Sequence, residues 1–221
     1  MSRFISFRKV RTALVSAVAV LLVLPAGLQA AAQNAAQATT ETLVLFRHGE
    51  KPPMGLGQLT CKGLNRALAL PPVLNAKFGR PDYLFAPDPA IQVHDGHNGP
   101  YSYIRPLATI EPTAIRLGMN VNAQIGFTQI DQLQQELAQP QYANAKVFIA
   151  WEHGYEEAFT RNLLKTYGAD PSQVPHWSNS DYDSIYVVRL TRKAGNTTAS
   201  FTLDHEGLDG ELSDACPAPA Q

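Results

Sequence analysis

The stretch from Arg47 to Lys51 places four charged or titratable side chains at one point of the chain. A guanidinium group offers planar, bidentate hydrogen bonds that match a phosphate, and a neutral imidazole is a nucleophile near neutral pH. The apolar residues Leu43–Phe46 directly precede this group and are typical of a buried strand. The pattern therefore predicts a phosphate site at the carboxyl end of a strand, although a strand that simply ends in solvated charges would look the same.

A second histidine follows a second apolar strand. Residues 146–151 form that strand, and Glu152 and His153 come directly after it. The carboxyl ends of parallel strands lie at one edge of a sheet, which is where ligands bind in α/β proteins. We therefore expect His48 and His153 to lie in one site.

Arg105 is a further candidate for binding an anion. It stands directly before Pro106, where a helix is predicted to begin, and helix N-termini favour anions. An ordinary surface arginine is the alternative. Three other polar residues have two interpretations each: Thr60 and Lys62 contact phosphate or only begin a helix, and Glu50 orients an arginine or is solvated.

Four motifs in this order resemble those of the histidine phosphatase superfamily, the phosphoglycerate-mutase-like proteins. They are Arg-His-Gly-Glu at 47–50, Leu-Thr-Cys-Lys-Gly at 59–63, Arg105, and Trp-Glu-His-Gly at 151–154. The resemblance covers roughly residues 41–190. It implies a phosphatase in which His48 becomes a phosphohistidine while Arg47, Arg105 and His153 hold the phosphate. It implies neither a cofactor nor a metal, because the arginines supply the positive charge.

The proton donor for the leaving group departs from the superfamily pattern. Its best-known members carry a carboxylate after the second arginine, where this chain offers only Asp131, with Glu111 and Glu152 as rivals. A leaving group that needs no proton is one explanation. Two other functions stay open: a non-catalytic anion-binding protein that kept the fold, or a mutase-type phosphotransferase.

The elements that would position these residues alternate between strand and helix. This alternation predicts an α/β three-layer sandwich, with a mostly parallel sheet, helices on both faces and an antiparallel edge formed by 184–203. Prolines 71–72 are predicted to interrupt or kink the first helix, and Pro112 the second. Residues 87–104 are predicted to be an irregular loop. This loop contains His94 and His97, but no third ligand can be named, so a metal site is not predicted.

The first 32 residues have the composition of a secretory signal peptide. Four basic residues come first, an apolar run follows from Thr12 to Leu24, and small residues stand at 30–32. The run is shorter than the about 20 residues that cross a membrane, which favours a cleaved signal over an anchor. We therefore expect a periplasmic or secreted protein that has no stable membrane insertion after cleavage.

The length of 221 residues suits one α/β domain. The predicted segments are a signal peptide (1–32), a flexible mature N-terminus (33–40), a histidine-phosphatase-like domain (41–204) and a C-terminal tail (205–221). Loss of the four basic signal residues would change the formal charge from −1 to −5. A mildly acidic domain lacks the positive surface that nucleic acid requires, so the expected partner is a small phosphorylated substrate or a phosphate group of the cell envelope.

The chain has two cysteines, Cys61 and Cys216. In an exported protein an even number of cysteines indicates disulfides, so we predict a bond that pins the tail to the segment after the first strand. The alternative is a free Cys216 on a frayed tail.

Overall fold

The computed structural model describes residues 38–218, and its main sheet contains six strands: β1 (Thr39–Arg47), β2 (Tyr83–Pro87), β5 (Asn122–Ile125), β6 (Lys146–Trp151), β7 (Ser184–Lys193) and β8 (Asn196–His205). Their order in the sheet is β5-β2-β6-β1-β7-β8. The central strands β1 and β6 run parallel, as do β2 and β5 at one side, whereas β7 pairs antiparallel with both β1 and β8. The helices are α1 (Cys61–Phe78), α2 (Arg105–Leu117), α3 (Ile130–Leu137) and α4 (His153–Thr166).

Two apolar cores lie on opposite faces of the sheet because successive strand residues point to opposite sides. Val44 and Phe46 pack with α1 and α2 on one face, and Leu43 and Leu45 pack with α3 and α4 on the other. Burial on both faces explains why the first strand is a continuous apolar run. The predicted three-layer α/β sandwich with an antiparallel edge is confirmed.

The prolines do not interrupt the helices, and one predicted boundary was wrong. Helix α1 continues through Pro71 and Pro72, and α2 continues through Pro112. Strand β1 begins at Thr39, inside the segment predicted to be flexible. The predicted signal peptide (1–32) lies outside the described residues.

The segment predicted as an irregular loop, 87–104, instead contains an antiparallel hairpin. Strands β3 (Gln92–Asp95) and β4 (Asn98–Ser102) form it as a separate two-stranded sheet. Val93 and Asp95 are buried, whereas the residues between and after them are exposed. Such short alternation among glycines and prolines is a weak strand signal, which is why the sequence did not reveal the hairpin.

The C-terminal segment after β8 is fixed along the start of α1. Cys216 forms the predicted disulfide with Cys61, and their Cα atoms lie 4.4 Å apart. The side-chain amide of Asn65 donates to the carbonyls of Ser213 and Ala215 at 2.9 and 2.8 Å. The tail is thus bound to the same helix that packs beneath the Arg47–Lys51 segment. Within residues 38–218, none of the helices has the length and apolarity that a membrane crossing requires.

Loss of the disulfide should destabilise the domain. The bond closes a loop of 155 residues, for which the chain-entropy estimate is up to about 5 kcal/mol in the free energy of unfolding. We expect the double variant Cys61→Ser/Cys216→Ser to unfold at lower denaturant concentration than the oxidised parent. A reducing agent should move the parent to the same midpoint and leave the variant unchanged, and equal midpoints for the oxidised parent and the variant would contradict the expectation.

Candidate active site

The two central strands bring the predicted histidines to one edge of the sheet. Arg47 and Trp151 are register partners in the parallel pair β1–β6, and the His48 amide donates to the Trp151 carbonyl at 3.0 Å. His48 therefore leaves one strand where Glu152 and His153 leave the other. The positions of His48 and His153 thus follow from the pairing of the two apolar strands that precede them.

The imidazole of His48 is held in one tautomer. Its Nδ1 lies 2.8 Å from the carbonyl oxygen of Gly49. Because a carbonyl only accepts, Nδ1 carries the proton, and in the neutral ring Nε2 carries the lone pair. Burial, followed by the positive charges of Arg105 and Arg47, holds the pKa of His48 well below its usual range. The ring is therefore neutral near pH 7, with a nucleophilic nitrogen.

Arg47 is anchored by one of its terminal nitrogens. Nη1 donates to the carbonyl oxygens of Asn179 and Asp181 at 2.9 and 2.8 Å, and the guanidinium lies 3.9 Å from the ring centre of Tyr182. Its Nε is buried and has no hydrogen-bond partner within residues 38–218. A buried donor of this kind fits an anion on the Nε edge of the guanidinium.

Arg105 is anchored in a comparable way by a different segment. It is the first residue of α2, and its two terminal nitrogens donate to Asp95 at 2.8 and 3.1 Å. Lys51 binds the same carboxylate at 3.0 Å. Nε of Arg105 is also buried without a partner in the described part of the chain. In both arginines, therefore, Nε has no hydrogen-bond partner among the described residues.

His153 and Glu152 form the opposite side of the site. Nδ1 of His153 lies 2.6 Å from Oε1 of Glu152, and its Nε2 lies 2.8 Å from the side-chain oxygen of Asn179. Glu152 also caps α4 by accepting from the Tyr155 amide at 3.0 Å. Although burial raises the pKa of Glu152, its contacts with His153, the Tyr155 amide and Arg47 lower it below the usual value. Glu152 is therefore a carboxylate at neutral pH.

All four predicted site residues line one cavity of about 290 Å³. Aromatic rings form part of its wall, with Tyr103 and Phe127 at 4.8 Å and Phe127 and Tyr155 at 5.6 Å between ring centres. The complete lining is Arg47, His48, Lys51, Val93, His94, Asp95, Tyr103, Arg105, Phe127, Glu152, His153 and Tyr155. This volume is at the lower end of the range for ligand pockets, so the cavity has room only for a small molecule.

The architecture agrees with that of a solved phosphatase. A structure from Nakamurella multipartitia, assigned as the phosphohistidine phosphatase SixA, superposes with a TM-score of 0.51 at 19% identity, covering 75% of this chain and 96% of that one. The chain therefore shares the fold of that structure.

Two further solved structures superpose with lower scores. A mycobacterial glucosyl-3-phosphoglycerate phosphatase has a TM-score of 0.48 at 16% identity, covering 74% of this chain and 97% of that one. An α-ribazole phosphatase from Shigella flexneri has 0.47 at 12% identity, covering 81% and 100%. No protein-family model matches the sequence, and the comparison with curated proteins finds no match.

The three candidates for a proton donor lie in different parts of the fold. Glu152 lines the cavity, whereas Glu111 is exposed on α2 and Asp131 lines a different surface depression beside Tyr167. Glu156 is a buried carboxyl whose pKa burial raises, but it faces the apolar side chains of α3, α4 and the sheet rather than the cavity. Of the three candidates, only Glu152 lies in the site.

Other predicted residues stabilise the loops of the fold. Thr60 caps α1 by accepting from the Gly63 amide at 3.0 Å. Glu50 does orient an arginine, because both its oxygens bind Arg66 of α1 at 3.1 and 2.9 Å. Lys62 does not line the cavity.

The two loop histidines have different positions. His94 lines the cavity, whereas His97 lies exposed in the turn between β3 and β4. Within residues 38–218, no group of three or more metal-ligating side chains comes together.

Two buried residues that contribute to the site were not predicted. Asp95 holds Arg105, and Thr109 of α2 links the Gly49 amide, at 2.9 Å, to the Arg105 carbonyl, at 2.8 Å. The only sequence signal for Thr109 is a polar residue four positions after Arg105, on the same helix face. Asp95 had no signal, because its hairpin was not recognised.

Proposed function

We propose that this protein is an exported, metal-independent phosphatase that forms a phosphohistidine on His48. The observation that carries the proposal is the imidazole of His48, whose Nδ1 is fixed by the Gly49 carbonyl. It lines a cavity together with two arginines whose Nε atoms are buried without partners in the described chain. The histidine phosphatase fold supports phosphatase-type chemistry at this edge of the sheet.

The proposed reaction has two steps. In the first, the lone pair on Nε2 of His48 attacks phosphorus, the bond from phosphorus to the leaving oxygen breaks, and that oxygen takes the electron pair. In the second, the oxygen of a water molecule attacks phosphorus, the bond from phosphorus to Nε2 breaks, and its electron pair returns to Nε2. The protons of the water leave with the inorganic phosphate or pass to solvent, so the ring regains its starting state. The Nε edges of Arg47 and Arg105 bind the phosphoryl oxygens and stabilise the charge in both transition states. His153 joins them by exchanging the contact of its Nε2 with Asn179 for one with a phosphoryl oxygen. The positive charge of the arginines is what a metal ion supplies in other phosphatases.

The leaving group that fits this site needs no proton. Burial raises the pKa of Asp95, but Arg105 and Lys51 more than offset this and bring it to about 2, and Glu152 is ionised as well. Neither carboxylate of the cavity can therefore donate a proton near pH 7. We infer that small substrates with stable anionic leaving groups react faster than phosphate esters of ordinary alcohols.

Export is supported by two features of the chain. Residues 1–32 have a signal-peptide composition, and the disulfide between Cys61 and Cys216 suits an oxidising compartment. The proposed substrate is accordingly a small phosphorylated compound or a phosphate group of the cell envelope.

The test compares two substrates in excess EDTA. We expect the purified protein to hydrolyse p-nitrophenyl phosphate at a rate that EDTA does not change, and glycerol 3-phosphate much more slowly. During turnover, mass spectrometry should find one phosphoryl group on the peptide that contains His48. Tight phosphate binding without hydrolysis would instead identify an anion-binding protein. Activity that EDTA abolishes and a divalent ion restores would contradict metal independence.

A further inference from the structure

The carboxylate of Asp95 connects three segments around the cavity. Arg105 donates to it through both terminal nitrogens, at 2.8 and 3.1 Å. Lys51 donates at 3.0 Å, and the amide of Gly57 lies 3.4 Å from Oδ2. The hairpin β3–β4, the loop of residues 51–57 and helix α2 thus meet at one side chain, which is buried.

These contacts show that Asp95 is a permanent part of the site and not a carboxylate that takes the place of a phosphate. An acidic side chain that merely occupies the phosphate position would have to leave whenever substrate binds. Asp95 instead uses each oxygen twice, on donors from the loop and from α2. The backbone also closes around it, since Gly55 has a φ of +74° and a Cβ built there would overlap the Asp95 carboxylate. Displacing Asp95 would therefore break four interactions and disturb the loop.

The contact with Asp95 occupies only one edge of Arg105. It joins the Nη1–Nη2 edge, which leaves Nε and the second hydrogen of Nη2 on the neighbouring edge. Nε is buried and makes no hydrogen bond in residues 38–218. A bidentate contact on one edge fixes the plane of the guanidinium, and so fixes where the other edge points.

We propose that Asp95 is the positioning residue for the second phosphate-binding arginine: it holds Arg105 so that its Nε–Nη2 edge receives the phosphoryl oxygens. This inference rests on the proposed phosphatase function and adds a residue that acts through Arg105 rather than on substrate. It also explains why the hairpin lies against the site, since the hairpin delivers this carboxylate. Because the pKa of Asp95 is about 2, its carboxylate stays ionised and keeps its contact with Arg105 throughout the neutral and mildly acidic pH range.

The matched variant is Asp95→Asn. An amide places an NH₂ group against a guanidinium that can only donate, so Arg105 should lose its fixed orientation. Loss of a supporting contact of this kind typically costs 10- to 100-fold, as for groups that orient metal ligands. We expect kcat for p-nitrophenyl phosphate to fall by about 30-fold, with a smaller change in KM, because the arginine acts mainly on the transition state.

A double-mutant cycle separates positioning from a general structural role. If Asp95 acts through Arg105, then Asp95→Asn should change kcat by less than about 3-fold when it is added to Arg105→Ala. A full additional loss in that background would overturn the proposal, as would an unchanged kcat in the single variant. Asp204→Asn is the control, because it removes a partly exposed carboxylate of the edge strand β8 that pairs with Lys77 of α1 at 2.9 Å. It should leave kcat at the parent value.

Two further measurements keep the test decisive. Gly55→Ala leaves the Asp95 carboxylate in the chain but forces it from its position, so it should also lower kcat, and a folded variant with parental kcat would overturn the proposal.

If the parent protein binds inorganic phosphate but hydrolyses nothing, the phosphatase function fails, and calorimetry then decides the role of Asp95. In that case Asp95→Asn must weaken phosphate binding at least about 10-fold, and equal or tighter binding overturns it.

Discussion

Replacement of His48 by asparagine should abolish turnover of p-nitrophenyl phosphate, with a loss of at least about 10⁴-fold, while the protein stays folded. The asparagine amide nitrogen lies where Nδ1 of the imidazole lies, so it can still donate to the Gly49 carbonyl. The variant lacks the ring atoms Cε1 and Nε2, and Nε2 is the atom that carries the lone pair. Losses of this size follow when a covalent nucleophile is removed but the surrounding transition-state donors remain.

The control for this prediction is a histidine that lies away from the cavity. His176 lies outside the cavity, is largely exposed and bonds to Glu157 at 3.0 Å. His176→Ala should turn over at the parental rate, and both variants should have the circular dichroism spectrum of the parent. A His48→Asn protein that retains parental activity, or still acquires a phosphoryl group during turnover, would show that the nucleophile lies elsewhere.

The sequence was sufficient to predict that His48 and His153 lie close together, because their positions follow from strand periodicity. Two continuous apolar runs predict two strands buried on both faces, and such strands occur in parallel sheets. Parallel strands share their carboxyl edge, so the residues that follow both runs had to meet. His48 and His153 do line the same cavity. Arg105 required the additional assumption that a helix begins at an Arg-Pro pair, and α2 does begin there.

The supporting residues could not be predicted because they depend on contacts between distant segments. Asp95 reaches Arg105 only because β3 and β4 pair, and their sequences give a weak strand signal among turn residues. The anchors of Arg47 are backbone carbonyls of Asn179 and Asp181, which every residue carries and no motif announces. Local patterns therefore predicted which residues line the cavity, whereas tertiary structure determined how those residues are oriented.

The prolines show why local rules failed for the helices. Pro71 and Pro72 were expected to interrupt or kink α1, because proline lacks the amide hydrogen and its ring crowds the preceding turn. The helix nevertheless continues to Phe78, with Leu70 and Leu74 fully buried against the sheet on either side of the pair. Burial of an apolar helix face contributes enough to offset the lost hydrogen bonds.

Arg105→Ala should lower kcat for p-nitrophenyl phosphate by about 10²- to 10³-fold, the second largest effect expected in this chain. The loss has two sources in the structure. The phosphoryl oxygens lose the donors on the Nε edge, and removal of one preorganised transition-state donor alone costs about that much. Asp95 also loses its bidentate partner, which leaves Lys51 as its remaining cationic contact.

A lysine at this position separates charge from geometry. Arg105→Lys keeps the positive charge beside His48 but cannot bind Asp95 on one edge and phosphate on another, because an ammonium group has no planar fork. We therefore expect Arg105→Lys to recover only a minor part of the lost kcat and to remain at least about 10-fold below the parent. The control is Arg116→Ala, an exposed arginine in the last turn of the same helix, which should keep the parental rate. Full activity in Arg105→Lys would mean that charge alone is required, and full activity in Arg105→Ala would remove this arginine from the site.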